Sequence, residues 1–100
     1  MINVMLADDH VLIREGIKQL LEFDGSMKVI AEASDGIECL EKLKNVKPDI
    51  LLLDINMPNM NGIDVLKELK EKNDPLKVLI LTVHSELEYL VKAVDIGANG

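Results

Sequence analysis

Short apolar runs that alternate with longer amphipathic stretches set the strongest limit on how this chain folds. The runs cover residues 2–7, 29–33, 50–53 and 78–81. Unbroken apolar runs of this length are typical of strands buried on both faces of a parallel sheet. The stretches between them are long enough for the helices that connect parallel strands.

The stretches between the runs have the apolar periodicity of helices. The first places four side chains on one predicted inner face: Ile13, Ile17, Leu20 and Leu21. The second is predicted to begin at Ser34 or Asp35, where Glu38 has the spacing of a capping box. The third follows Gly62 and the fourth begins at Ser85.

The predicted element order is βαβαβαβα, an α/β fold with helices on both faces of one parallel sheet. With 100 residues, the chain has the length of one domain, predicted to cover residues 1–100. A TIM barrel needs at least about twice this length.

Composition excludes several classes of function. The net charge of -7 disfavours direct contact with nucleic acid, because affinity for phosphate backbones depends on Lys and Arg. The single cysteine, Cys39, cannot form an internal disulfide, which favours a cytoplasmic protein. No apolar run reaches the roughly 18 residues that span a bilayer, so no membrane segment is predicted.

Acidic and hydroxyl side chains follow three of the predicted strands. Asp8 and Asp9 follow the first, Asp54 follows the third, and Thr82 follows the fourth. In open parallel sheets, ligands bind beyond the carboxyl ends of the strands where the strand order reverses. If the first and third strands are neighbours, these three carboxylates converge. Two carboxylates about 4 Å apart repel by roughly 4 kcal/mol at a surface-like dielectric, and a Mg²⁺ ion would offset that repulsion.

This pattern predicts phosphoryl transfer to a carboxylate. Asp54 ends a stiff strand and is the predicted nucleophile, with the Thr82 hydroxyl and the Asn56 carbonyl as supporting groups. A single strand-end Asp is more often a turn or cap residue, so the prediction depends on the joint pattern. His10 and His84 do not have the spacing of a metal-binding pair and are predicted to face solvent.

Several segments resemble bacterial response-regulator receiver domains: Asp8-Asp9, residues 54–62 (DINMPNMNG) and residues 81–84 (LTVH). Residues 7–16 and 97–100 resemble the NarL/LuxR subfamily, whose members usually carry a C-terminal helix-turn-helix DNA-binding domain. The resemblance covers the whole chain. It implies a flavodoxin-like fold with strand order 2-1-3-4-5.

The resemblance also implies a role for each residue of the site. Asp54 matches the phosphoacceptor, which a sensor histidine kinase phosphorylates. Asp9 and Asp54 match the carboxylate ligands of Mg²⁺, with Asp8 nearby. Asn56 matches the ligand that uses its backbone carbonyl, and Thr82 matches the switch hydroxyl.

Receiver domains have five βα units, whereas this chain reaches Gly100 after the fourth. The family's aromatic switch residue and its active-site lysine would follow Gly100. The expected order is therefore 2-1-3-4, with the fifth βα unit missing and the chain a fragment of a longer regulator. Strand 4 would then be an open apolar edge, which predicts self-association through that strand or by exchange of elements.

Other functions fit the sequence less well. Phosphatases of the haloacid dehalogenase type carry a second Asp two residues after the nucleophile, and Asn56 stands there instead. A flavodoxin needs a phosphate-binding loop after strand 1, where Asp8 and Asp9 would repel phosphate. The chain is therefore predicted not to be an enzyme. A receiver acting only as a self-associating protein-interaction module stays open.

Overall fold

The structure, a computed structural model, describes residues 1–23 and 25–81. Strands and helices alternate along this part of the chain in the predicted order. They are β1 (Ile2–Ala7), α1 (Val11–Glu22), β2 (Met27–Ala33), α2 (Gly36–Leu43), β3 (Ile50–Asp54), α3 (Gly62–Glu71) and β4 (Lys77–Leu81). The predicted fourth helix lies outside the described residues.

The strands form one parallel sheet in the order β2-β1-β3-β4. This confirms the predicted flavodoxin-like order 2-1-3-4. From β1 the chain moves outward to β2, and from β3 it moves the other way to β4. The order therefore reverses between β1 and β3, so a ligand site is expected beyond their carboxyl ends.

Strand β2 begins at Met27, earlier than the apolar run that predicted it. Met27 and Lys28 pair with Ile2 and Asn3 of β1, so the start of the strand follows its neighbour. Lys28 is exposed on the outer strand of the described sheet, where a charged side chain stays in contact with water.

Alternate residues of the central strands face two separate cores. Met5 and Leu51 belong to the core under α2 and α3. Leu6 and Leu52 belong to the smaller core, which Ile17 of α1 partly covers. Burial of both faces explains why the central strands are continuous apolar runs.

The N-termini of α2 and α3 are capped by side chains. Asp35 accepts a hydrogen bond from the backbone N–H of Glu38 at 2.8 Å, and the Glu38 carboxylate accepts one from the Ser34 N–H at 2.6 Å. Of the two residues predicted to cap α2, Asp35 is the N-cap in the structure. Asn61 caps α3 by accepting from the N–H of Asp64 at 3.0 Å.

The prediction for the inner face of α1 is wrong at one position. Ile17 and Leu21 pack against the smaller core, but Leu20 is 77% exposed. Within the described part of the chain, no residue of α1 is buried. Ile37 of α2 is also exposed, at 52%.

Among residues 1–23 and 25–81, no helix is both long enough and apolar enough to cross a bilayer.

Candidate metal site

Four polar side chains meet beyond the carboxyl ends of β1 and β3. One ligand atom from each of Asp8, Asp9, His10 and Asp54 lies within 4.8 Å of the others. Asp8 and Asp54 are almost fully buried, at 1% and 2% exposed. The predicted convergence of the three carboxylates is therefore present in the structure.

The register of the sheet brings these residues together. Ala7 of β1 pairs with Leu53 of β3, so the acids that follow these two residues lie side by side. Asp54 is still part of β3 and pairs with Leu81 of β4. The N–H of Asp8 is held by the carbonyl of Ala33 in β2 at 3.0 Å.

One oxygen of each buried carboxylate is satisfied by a nearby backbone N–H. Asp8 Oδ1 accepts from the His10 N–H at 2.8 Å, and Asp54 Oδ1 accepts from the Asn56 N–H at 3.2 Å. Both bonds run to the residue two positions later, the pattern of an Asx turn. These bonds orient the carboxylates and leave Asp54 Oδ2 available for a ligand.

Two buried carboxylate oxygens, Asp9 Oδ1 and Asp54 Oδ2, have no hydrogen-bond partner among the described residues. Asp9 Oδ1 also lies 3.1 Å from His10 Nδ1, a contact that becomes an ion pair when the imidazole is protonated. An unsatisfied buried acceptor costs about 1–3 kcal/mol, and more when it is charged. A hard cation such as Mg²⁺, which prefers carboxylate oxygens, fits this donor set.

The cluster shifts the protonation of two of its members. Burial, with the nearby Asp8 carboxylate adding to it, raises the pKa of Asp54 to about 6, against an opposing hydrogen bond from the Asn56 N–H. The hydrogen bond to Asp8, followed by the charge of Asp9, raises the pKa of His10 above its usual value. Without a metal ion, the cluster therefore holds protons more tightly than isolated side chains would.

His10 is exposed to solvent, as the sequence predicted, but it also contacts the acidic cluster. Its side chain is 48% exposed, and its Nδ1 lies 3.1 Å from Asp8 Oδ1. The spacing of the two histidines did not predict this contact, and His84 lies outside the described residues. The sequence feature that indicated this contact is the position of His10 directly after Asp9.

Comparison with known proteins identifies the chain's family. Residues 4–100 match the response regulator receiver domain. The chain belongs to this family. Its receiver sequence is 35% identical over 99 residues to the transcriptional regulatory protein DegU of Brevibacillus brevis, covering 99% of this chain and 42% of that protein. The chain thus spans less than half the length of this curated relative.

The fold is also similar to solved structures of receiver domains. The signal receiver domain of NarL from Mycobacterium tuberculosis has a TM-score of 0.90 and 38% identity, over 97% of this chain and 78% of that chain. A chain of the CheX–CheY–BeF3–Mg²⁺ complex from Borrelia burgdorferi has a TM-score of 0.90 and 30% identity, over 98% of this chain and 74% of that chain. The predicted resemblance to the NarL/LuxR subfamily is confirmed.

In this receiver domain, backbone contacts anchor the loop between β3 and α3. The N–H of Gly36 donates to the Met60 carbonyl, and the N–H of Gly62 donates to the Ile55 carbonyl, both at 2.9 Å. Asn59 donates a side-chain hydrogen bond to Asp35 at 2.9 Å. The loop that carries Asn56 is therefore fixed to the start of α2 and to the start of α3.

Gly62 allows α3 to begin directly against β3, the strand that ends at Asp54. A Cβ at this position would collide with the backbone carbonyl oxygen of Asp54 and would lie 3.0 Å from the Cα of Ile55. The glycine is therefore required for this close approach.

Arg14 supports the loop between β1 and α1. Its Nη1 donates to the backbone carbonyl of Asp8 at 2.7 Å, and its Nε donates to Glu32 Oε1 at 3.0 Å. The guanidinium thus connects the acidic loop to β2. The sequence did not predict the bond of Arg14 to Asp8 or the bond of Asn59 to Asp35, because these contacts depend on how separate loops meet.

The assigned roles of two further site residues stay predictions. Asn56 follows the strand end as expected, but its role as a carbonyl ligand is untested. Thr82 lies outside the described residues.

Proposed function

We propose that this receiver domain accepts a phosphoryl group on Asp54 in a reaction that depends on Mg²⁺. The observation that carries the proposal is the buried Asp54 carboxylate, whose Oδ2 has no hydrogen-bond partner in the described part of the chain. This oxygen lies 4.0 Å from His10 Nδ1, inside the acidic cluster. Such an oxygen is available to bind a cation or to attack phosphorus.

Asp54 must be ionised to act as a nucleophile. With its pKa raised to about 6, the carboxylate is largely ionised at neutral pH, and it is more basic than an ordinary Asp. In the proposed transfer, an Asp54 oxygen forms a bond to phosphorus while the bond from phosphorus to the donor nitrogen breaks. The departing imidazole of the donor takes up a proton.

The carboxylates of Asp9 and Asp54 would hold Mg²⁺, with Asp8 close by and the Asn56 carbonyl as a further ligand. Bound Mg²⁺ supplies charge compensation for the transferring phosphoryl group. The Thr82 hydroxyl would donate a hydrogen bond to a phosphoryl oxygen. The complex of the Borrelia burgdorferi relative, which contains BeF3 and Mg²⁺, supports this chemistry.

A sensor histidine kinase is the proposed phosphoryl donor. The proposed output is control of transcription in the cytoplasm, through a DNA-binding domain in a longer protein. DegU, which is named a transcriptional regulator and is more than twice as long as the matched region, supports this. In this proposal the domain is a signalling switch and turns over no small substrate. Self-association through β4 or by exchange of elements stays a prediction.

Phosphorylation by a small-molecule donor tests the proposal. Incubation with a phosphoramidate and Mg²⁺ should add one base-labile phosphoryl group, which peptide mass spectrometry should map to Asp54. Asp54→Asn should take up none, whereas the matched control Asp64→Asn, at an exposed carboxylate, should label normally. Equal labelling of Asp54→Asn, or labelling without Mg²⁺, would contradict the proposal.

A further inference from the structure

His10 gives the acidic pocket a nitrogen ligand in addition to its oxygens. We propose that Nδ1 of His10 binds a divalent transition-metal ion together with Asp9 and Asp54, so that the pocket binds ions such as Co²⁺ or Zn²⁺ more tightly than Mg²⁺. This inference rests on the metal pocket of the proposed function and concerns which ions that pocket accepts.

The spacing of the ligand atoms supports the assignment. Nδ1 of His10 lies 3.1 Å from Asp8 Oδ1, 3.1 Å from Asp9 Oδ1 and 4.0 Å from Asp54 Oδ2. With metal–ligand bonds of about 2.1 Å, two ligand atoms at right angles lie about 3.0 Å apart, and two opposite ligand atoms lie about 4.2 Å apart. The three distances from Nδ1 fall between these two values, so an ion bound to Nδ1 is also within reach of each of these oxygens.

The unsatisfied oxygens provide a second, independent observation. Asp54 Oδ2 and Asp9 Oδ1 are buried near the ring without a hydrogen-bond partner within residues 1–23 and 25–81. Asp54 is 2% exposed, so water does not readily satisfy its free oxygen. A cation that contacts the imidazole would satisfy both oxygens at once.

The backbone holds His10 at the cluster. Its N–H donates to Asp8 Oδ1 at 2.8 Å, and the residue is the N-cap of α1 in an extended conformation. Arg14 fixes the same loop from the carbonyl of Asp8. The ring is therefore presented to the pocket by the fold, while its half-exposed position leaves a path for an entering ion.

The preference of each metal ion for nitrogen or oxygen ligands decides which ions bind more tightly when the imidazole is present. Mg²⁺ prefers oxygen ligands and gains little from an imidazole, whereas Zn²⁺, Ni²⁺ and Cu²⁺ bind imidazole well. For a mixed nitrogen and oxygen site, affinity follows the order Mn²⁺ < Co²⁺ < Ni²⁺ < Cu²⁺. Removing the imidazole should therefore weaken transition-metal binding and leave the oxygen ligands that Mg²⁺ uses.

Calorimetric titration of three proteins with Co²⁺ and with Mg²⁺ tests the selectivity. The chain contains only two histidines, so His84→Asn is the matched control for His10→Asn. In His10→Asn the Co²⁺ dissociation constant should rise by about tenfold or more, and the Mg²⁺ constant by much less. An equal loss for both ions, or no change for Co²⁺, would overturn the proposal. Thermal melts confirm that each variant is folded.

Pulsed electron paramagnetic resonance of bound Cu²⁺ gives a direct signature. Coupling to an imidazole nitrogen should be present in the unaltered chain and in His84→Asn, and absent in His10→Asn. Persistence of the coupling in His10→Asn would overturn the assignment. If the coupling behaves as expected but Asp54 is not labelled in Mg²⁺, the proposed function fails and the His10 assignment stands.

Discussion

Helices α3 and α1 cover opposite faces of the same sheet and differ sharply in burial. α3 buries Gly62, Ile63, Val65, Leu66 and Leu69, whereas no residue of α1 is buried within the described part of the chain. Most of the apolar stabilisation therefore lies on the α3 face. The α1 side is held in part by polar contacts, among them the Arg14 guanidinium at the carbonyl of Asp8.

The largest expected effect tests this difference between the faces directly. Leu66 is 0% exposed, and Leu66→Ala should lower the free energy of unfolding by about 3 kcal/mol through lost burial and the cavity left behind. Leu20 is 77% exposed, so Leu20→Ala should change it by less than about 0.5 kcal/mol. Denaturant titration measures both variants. Similar losses would show that the two faces contribute equally.

The ionised carboxylate of Asp54 in the acidic cluster should lower the free energy of unfolding at neutral pH. Because the folded pKa of Asp54 is raised from 3.8 to about 6, the folded state binds the proton more tightly than the unfolded state. Protonated Asp54 therefore stabilises the folded state below about pH 4, and this stabilisation is lost as pH rises through about 6. Asp54→Asn should add about 2–3 kcal/mol to the free energy of unfolding at pH 7.5.

Denaturant titrations at pH 4 and pH 7.5, with and without Mg²⁺, measure the effect of Asp54→Asn on the free energy of unfolding. The gain from Asp54→Asn should shrink towards zero near pH 4, and Mg²⁺ should stabilise the unaltered chain more than the variant. A gain that is independent of pH would show that charge is not its cause.

Two asparagines with positive φ offer a matched pair. Asn59 has a φ of 64° and Asn73 has a φ of 52°. Replacing either by Ala should cost about 1 kcal/mol in backbone conformation, because Ala adopts the left-handed region less readily than Asn, and Asn59→Ala also loses the bond to Asp35. Asn59→Gly should still destabilise, since it loses the bond to Asp35, whereas Asn73→Gly should be nearly neutral. Equal melting temperatures for the two glycine variants would show that the bond to Asp35 adds nothing.

The smallest effect concerns a glycine in the middle of α1. A Cβ at Gly16 would meet nothing within 4 Å, so Gly16→Ala should stabilise the protein by about 0.5–1 kcal/mol through helix propensity. Gly62→Ala should have the opposite sign, because its Cβ would collide with the Asp54 carbonyl. Thermal melts compare them, and a destabilised Gly16→Ala would show that α1 is packed more tightly than the structure indicates.

The sequence predicted the sheet well because its signals are local. Runs such as 50–53 are apolar throughout, and only a strand buried on both faces explains that pattern. The meeting of Asp8 with Asp54 followed from the strand order, which the resemblance to receiver domains implied. Thr82 and the fourth helix lie outside the described residues, so those predictions are untested.

The missed features depend on packing between separate segments. Periodicity placed Leu20 on the inner face of α1, but the width of that face is set by what packs against it. The direction of the His10 ring is set by the backbone of the loop after β1. The bond between Asp35 and Asn59 joins two loops that are 24 positions apart, and no sequence pattern indicates it.

The anchoring of the loop between β3 and α3 by two glycine N–H groups has a consequence for sequence variation. Main-chain hydrogen bonds at Gly36 and Gly62 fix the path of the loop. The exposed side chains of Asn56 and Pro58 therefore contribute little to holding the loop in place. Side-chain substitutions at those two positions should therefore leave the path of the loop unchanged. The two glycines cannot vary without altering the loop itself.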